Sequence, residues 1–333
     1  MLAFVCQPDT LPAVKPASVQ RLREARPRLQ TLVRHTLART PRSPRCAPVV
    51  PQPRLGRNRR LRLTHALIAS DLNPHYLDFW PLVRRAWSEI VELETVLVLV
   101  AEPNDVPRPL RDDPAVIVFP PLPDIHTAFQ AQCIRLLYPG LLDVDGGVIT
   151  SDADMAPLSR HYFHRPVARI DASHFVAYRD ISLDNGEIPI CYNAARPATW
   201  RRVFGVESMD DLRERLSEWA GSVRYAGRHG GEGWASDQQI LYRTLVDHGR
   251  THGAIWILND SFTHFNRLER ALVRKRGGGF LDEELRRLRR GGYSDLHCLV
   301  PHGDFRELNE LAVDLAAGAA GGWSSTGRAG PQT

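Results

Sequence analysis

The sequence predicts an α/β domain with a mostly parallel central sheet flanked by helices, and three observations carry that prediction. Strand-like and helix-like periods alternate through its first half. Two segments, residues 95–102 (TVLVLVAE) and 115–119 (AVIVF), are almost wholly apolar, as strands covered on both faces must be. The 333 residues, 43% hydrophobic and 24% charged, are enough for one large core.

In chain order, residues 61–70 (LRLTHALIAS) read as the first strand and residues 76–93 as a helix. The two apolar runs are the next strands. A helix over 126–138 then leads to a strand over 147–151. The second half is more mixed. Residues 167–180 read as strand and turn, 198–204, 209–220 and 237–248 as helices, and 254–258 (AIWIL) as a short strand, with further helices at 283–289 and 306–317. The basic run VRKRGGG at 273–279 reads as a solvated loop. No internal repeat is visible.

Charge divides the chain unevenly. Residues 1–60 hold one Lys and twelve Arg against Asp9 and Glu24, a net of +11, while the whole chain carries +5. The remaining 273 residues therefore sum to −6. Nine of the 25 prolines also fall in this leader, a composition that buries little apolar surface and predicts disorder, apart from a short helix around residues 19–37. A basic leader on an acidic body argues against a nucleic-acid partner and allows a peripheral contact with anionic lipid. The expected division is a leader at 1–60, one domain at 61–318 and a flexible tail at 319–333. No run of eighteen apolar residues predicts a membrane span, and no signal peptide is expected at the start. Cys6, Cys46, Cys133, Cys191 and Cys298 are scattered and odd in number, which reads as free thiols and a cytoplasmic setting, with the inner membrane face as an alternative address.

The sharpest local feature is Gly146-Gly147-Val148-Ile149-Thr150-Ser151-Asp152-Ala153-Asp154-Met155. A hydrophobic strand ends in two carboxylates separated by one small residue, where an open α/β sheet places its ligands. Carboxylate oxygens are hard donors suited to Mg²⁺ or Mn²⁺. A third acid, Asp237, follows the glycine-rich stretch 227–234 (GRHGGEGW) and opens an apolar helical run. It reads either as a helix cap or as a general base presented by a helix start.

The segments 64–87 (THALIASDLNPHYLDFWPLVRRAW), 127–138 (TAFQAQCIRLLY) and 149–163 (ITSDADMAPLSRHYF) resemble the nucleotide-sugar half of GT-A glycosyltransferases. The likeness runs from about residue 61 to 301 and is nearest to a group of viral and bacterial transferases that includes the first domain of a multidomain chlorella-virus enzyme. The resemblance implies a metal-bridged nucleoside-diphosphate sugar, with a UDP-sugar the favoured donor and a glycan or other hydroxyl the acceptor. It implies a nucleotide-sugar half at 61–165 and an acceptor half at 166–318. Ser70 and Asp71 would lie near base and ribose, Asp152, Ala153 and Asp154 at the metal and diphosphate, and Arg135 near the donor unless it is a surface arginine. His297 would complete the metal sphere, favouring Mn²⁺ over Mg²⁺. His302 is a lesser candidate. Asn266-Arg267-Leu268-Glu269-Arg270 resembles an R-L-D-R pattern of that group with Glu in place of Asp, so Arg267 or Arg270 would neutralise the leaving diphosphate. Tyr192 and Asn193 fall in the acceptor half. The expected reaction is metal-dependent glycosyl transfer with inversion, Asp237 acting as base. The alternatives are a silent carbohydrate- or partner-binding protein, and a sugar-nucleotide nucleotidyltransferase. The latter is disfavoured because the first strand ends in Ala69-Ser70-Asp71-Leu72-Asn73-Pro74, with no glycine for a triphosphate loop.

Overall fold

The computed structural model describes residues 60–252 and 254–325. The basic leader, its expected helix, Cys6, Cys46 and the last eight residues of the tail lie outside the described residues.

Strand β1 (Leu63–Asp71) is an interior strand of the sheet, and its inner residues Ala66 to Ile68 are buried on both faces. After a helical turn at Pro74–Leu77, helix α1 (Trp80–Ala86) continues as a wider turn over Trp87–Val91 and stops at Glu92, whose φ is 61°. The single helix expected over 76–93 is thus broken. Phe79 and Trp87 sink into the core and demand a change of phase that one straight helix cannot provide. Strands β2 (Glu94–Val100) and β3 (Val116–Phe119) match the two apolar runs. Helix α2 (Thr127–Leu137) leads through a tight turn to β4 (Gly147–Ser151), every residue of which is buried.

Strand β5 (Met155–Pro157) is too short to show a period in the sequence. Ser159 caps α3 (Arg160–Val167) by accepting from the Tyr162 N–H. Strands β6 (Phe175–Ala177) and β7 (Asn193–Ala195) follow, the latter unforeseen. Then come α4 (Pro197–Phe204), α5 (Met209–Gly221) with a Ser208/Asp211 capping box, and α6 (Ser236–His252). The remainder is β8 (Ile255–Ile257), β9 (Arg267–Leu268), α7 (Arg270–Lys275), α8 (Asp282–Leu288), β10 (Asp295–His297) and α9 (His302–Ser325). The basic run expected as a loop therefore begins inside α7.

The seven strands of the main sheet lie in the order β3-β2-β1-β4-β7-β6-β8, and only β7 runs against the rest. This is an α/β fold with a mostly parallel central sheet flanked by helices. A small second sheet, β5-β10-β9, carries the chain back beside the end of β4. Chain order reverses at β1. Its successor β2 lies on one side and β4 on the other, so a crevice opens beyond the carboxyl ends of β1 and β4. The core beneath is aromatic: Phe163 packs 4.8 Å from both Trp87 and Tyr192, ring centre to ring centre.

Candidate active site

The crevice at the switch point is a cleft of about 920 Å³, counted out to open solvent. Its walls come from four places. The end of β1 supplies Ser70 and Asp71, and the turn after β4 supplies Asp152, Ala153 and Asp154. Helix α2 adds Gln132 and Arg135, and the far wall holds His229, Trp234, Asp237, Arg270 and His297. Residues more than 200 positions apart in the chain meet here because β10 pairs antiparallel with β5, setting His297 opposite Met155.

Two buried charge networks organise the walls. In the first, Arg135 bridges two acids: Nη1 pairs with Asp152 and Nη2 donates to Asp237 Oδ2 at 3.1 Å. Arg135 is buried, not the surface arginine of the alternative reading, because both faces of α2 are covered. In the second, Arg270 Nη1 donates to Asp154 Oδ2 at 2.8 Å, and His297 Nε2 approaches the same oxygen at 3.4 Å. His297 Nδ1 faces Glu269 Oε2 at 3.4 Å. Glu269, unassigned from the sequence as a site residue, thus orients the imidazole.

The networks set the ionisation of the acids. Burial would raise the Asp154 carboxyl, but the hydrogen bond and charge of His297, with those of Arg270, outweigh it and hold the group at about 2. Burial would lower His297, and its two carboxylate partners raise it instead. Asp237, 2% exposed, behaves oppositely to Asp154. Burial pushes it up to about 6, the Asp152 charge adds to this, and Arg135 offsets only part. Asp237 is not the helix cap. Helix α6 begins one residue earlier at Ser236, and the Asp237 Oδ1 accepts from the Gln238 N–H at 2.8 Å.

Ser70 and Asp71 stand at the other end of the cleft. Asp71 accepts from the Thr127 hydroxyl at 2.8 Å and from the Asn73 N–H at 3.1 Å, tying β1 to the first residue of α2. Above them, Tyr76 and Trp234 stack with ring centres 6.5 Å apart, and Trp234 stacks on Tyr225 at 6.4 Å. Tyr76, His229 and Trp234 went unassigned in the sequence. The glycine-rich segment holding His229 and Trp234 was visible, but nothing in it says which way a loop folds.

Several candidates are not brought into the cleft. Arg267 points into the core, where Nη2 pairs with Asp295 Oδ2 at 2.7 Å. Asp295 is fully buried and also accepts from the hydroxyls of Tyr192 at 2.9 Å and Ser294 at 2.6 Å. Of the two arginines in the 266–270 motif, Arg270 alone lines the cleft. Asn193 is buried and donates to the carbonyls of Pro189 and Ile190, bracing a turn. His302 packs edge-on against Phe79, and burial lowers its imidazole. Cys133, Cys191 and Cys298 are free and buried.

Among the described residues, no three His, Cys, Asp or Glu side chains converge as a metal-ligand set. Asp152 and Asp154 are each drawn towards an arginine. The donor chemistry nonetheless suits a divalent cation, with two hard carboxylates and an imidazole lining one cleft. Charge favours it too: the cleft lining holds four carboxylates against two guanidiniums, both already paired, so an incoming diphosphate meets net negative charge.

No protein-family model and no curated protein matches the chain. Among solved structures it is similar to the galactosyltransferase LgtC in complex with donor and acceptor sugar analogs, at 15% identity over 76% of this chain and 95% of that one, with a TM-score of 0.39. It is also similar to the glycosyltransferase GlyE of Streptococcus pneumoniae TIGR4, at 13% identity over 79% of this chain and 63% of that one, with a TM-score of 0.41. A third likeness, to 4-diphosphocytidyl-2C-methyl-D-erythritol synthase, covers 56% of this chain and all of the other at a TM-score of 0.27. At these identities and scores the likenesses carry no inference about chemistry, which rests on the residues of the cleft.

Proposed function

We propose that the chain is a glycosyltransferase of the GT-A type, moving a sugar from a nucleoside-diphosphate sugar to a hydroxyl acceptor. The observation that carries this reading is the meeting of Asp152, Asp154 and Asp237 in one cleft at the switch point, with Asp154 held at about 2 and Asp237 raised to about 6. Ser70 and Asp71 take the base and ribose, and a UDP-sugar remains the favoured donor. Asp152, Asp154 and His297 are the residues that would hold a Mn²⁺ or Mg²⁺ ion, which when bound offsets the charge of the diphosphate.

The acceptor hydroxyl oxygen attacks the anomeric carbon as the bond to the diphosphate oxygen breaks, and that electron pair leaves with the diphosphate. The hydroxyl proton passes to Asp237. Both of its oxygens are engaged, yet each carboxylate oxygen has a second lone pair. A carboxyl raised to about 6 is ionised at neutral pH and basic enough to take a proton. Arg270, which pairs with Asp154 in the cleft, meets the negative charge on the departing diphosphate in this reading. A single base of this kind gives inversion.

One observation favours a second reading, a binding protein without turnover: both cleft carboxylates after β4 are already neutralised by arginine. Calorimetric titration of UDP, GDP and dTDP, each with and without Mn²⁺, separates the two. The transferase reading expects metal-dependent binding of one nucleotide, lost in Asp152→Ala/Asp154→Ala, and release of sugar from its nucleotide-sugar. Binding that ignores both metal and mutation, with no turnover, would transfer support to the binding protein. Proton NMR of the first-formed product reads the anomeric configuration, and retention would remove Asp237 as sole base.

A further inference from the structure

The body of the protein is acidic, but one stretch of it is not. Residues 270–290 hold eight basic and three acidic side chains, a net of +5 within a body, residues 61–333, that sums to −6. The rest of that body is therefore at −11. This stretch is one hairpin, in which α7 and α8 are joined by a glycine-bearing turn and tied by the Arg276–Glu284 pair at 2.7 Å. Its acids are largely answered from within, since Glu283 pairs with Arg286. Arg274, Lys275, Arg289 and Arg290 are exposed and have no salt-bridge partner among the described residues. Among those basic side chains stand Leu272 and Leu281, 57% and 50% exposed, two of the five large apolar residues that the described body leaves in solvent. Unpaired cations beside protruding leucines are complementary to a surface that is anionic at its head groups and apolar just beneath. A nucleic acid or an acidic peptide would use the charges and leave the leucines unexplained.

We propose that the α7–α8 hairpin docks on an anionic lipid bilayer, with Leu272 and Leu281 entering the head-group layer and Arg274, Lys275, Arg289 and Arg290 facing its phosphates. Helix α7 starts at Arg270 in the cleft wall, so docking sets the cleft beside the membrane.

The leader is itself basic, so the test reads the hairpin directly. Full-length protein is mixed with vesicles of phosphatidylcholine alone, or of phosphatidylcholine with phosphatidylglycerol, and hydrogen exchange is followed by peptide. Protection of residues 270–290 is expected on the anionic vesicles only. Reversing Arg274, Lys275, Arg289 and Arg290 to Glu should weaken vesicle binding at least about tenfold, because each basic residue near such a surface contributes. Leu272→Ser/Leu281→Ser should weaken it several-fold while leaving retention on heparin unchanged. All these side chains are exposed, and unchanged melting curves verify the fold. Absence of protection in the hairpin, or vesicle binding as wild type by the charge-reversed chain, would assign any binding to the leader. A serine variant that binds vesicles as wild type would make the hairpin a general polyanion surface and overturn the lipid assignment.

Discussion

At the scale of single residues, Asp154 and Asp237 make opposite predictions. The Asp154 carboxyl sits at about 2 when folded, below its ordinary value, so its stabilisation is complete above pH 4 and is lost as pH falls towards 2. This is on the order of 2 kcal/mol. Urea unfolding from pH 5 to pH 2 should show that slope in wild type and a flatter one in Asp154→Asn. Asp237 is raised from its ordinary 3.8 to about 6, so it lowers folding stability as pH rises from 3.8 to about 6, where the unfolded chain is ionised and the fold still prefers the protonated form. For the reaction the sign is reversed: a base must be ionised, and kcat/KM should fall as pH drops through about 6. Asp237→Asn is expected to lose about 10²–10⁴ in kcat with nucleotide affinity little changed, the range of a general base. Arg267 differs from both. Its removal strands the buried Asp295, which costs about 3–5 kcal/mol. Arg267→Ala should therefore unfold at much lower urea while its folded fraction still binds nucleotide. A loss of affinity at unchanged stability would instead return Arg267 to the donor site.

At the scale of elements, β4 shows how much a pattern can say. The run from Gly147 to Ser151 was legible as a strand because it is apolar, and its observed bounds agree. The reason for the glycine before it was not legible. A Cβ at Gly146 would overlap the Thr64 side chain on the neighbouring β1. Gly146→Ala should cost about 1–3 kcal/mol by overpacking, and Thr64→Ala in the same chain should recover part of it. Thermal unfolding of the two single variants and the double checks this. Short elements escaped prediction for a related reason. Strands β5, β7 and β10 have three residues each, too few for a period, and exist because neighbouring strands complete their hydrogen bonds. Arg267 and Arg270 stood together in one motif, yet β9 sends the first into the core and α7 opens with the second in the cleft. The resemblance could offer both, and only the path of the backbone separates them.

At the scale of the whole molecule, the cleft is made by elements from both halves of the body, so its occupation should be felt by the entire fold. Nucleotide with Mn²⁺ at 100 times its Kd should stabilise the protein by about 2.7 kcal/mol, and a chelator should remove that gain. A calorimetric melting series with and without EDTA measures it. An equal gain in EDTA would argue that Arg135 and Arg270 neutralise the diphosphate without a cation. No described helix is long and apolar enough to cross a membrane.

What the sequence determined by itself is local and short in range. Apolar runs named the parallel strands, composition set the leader apart, and the strand ending in Asp152 and Asp154 marked one edge of the cleft, because a parallel sheet presents its carboxyl ends to a crevice. The tertiary structure decided which distant side chains meet those acids. Arg135, Arg270 and His297 reach them through sheet pairing and helix packing, with Asp237 and Glu269 behind, and the shifted ionisation of Asp154, Asp237 and His297 follows from burial and neighbours that no linear spacing encodes.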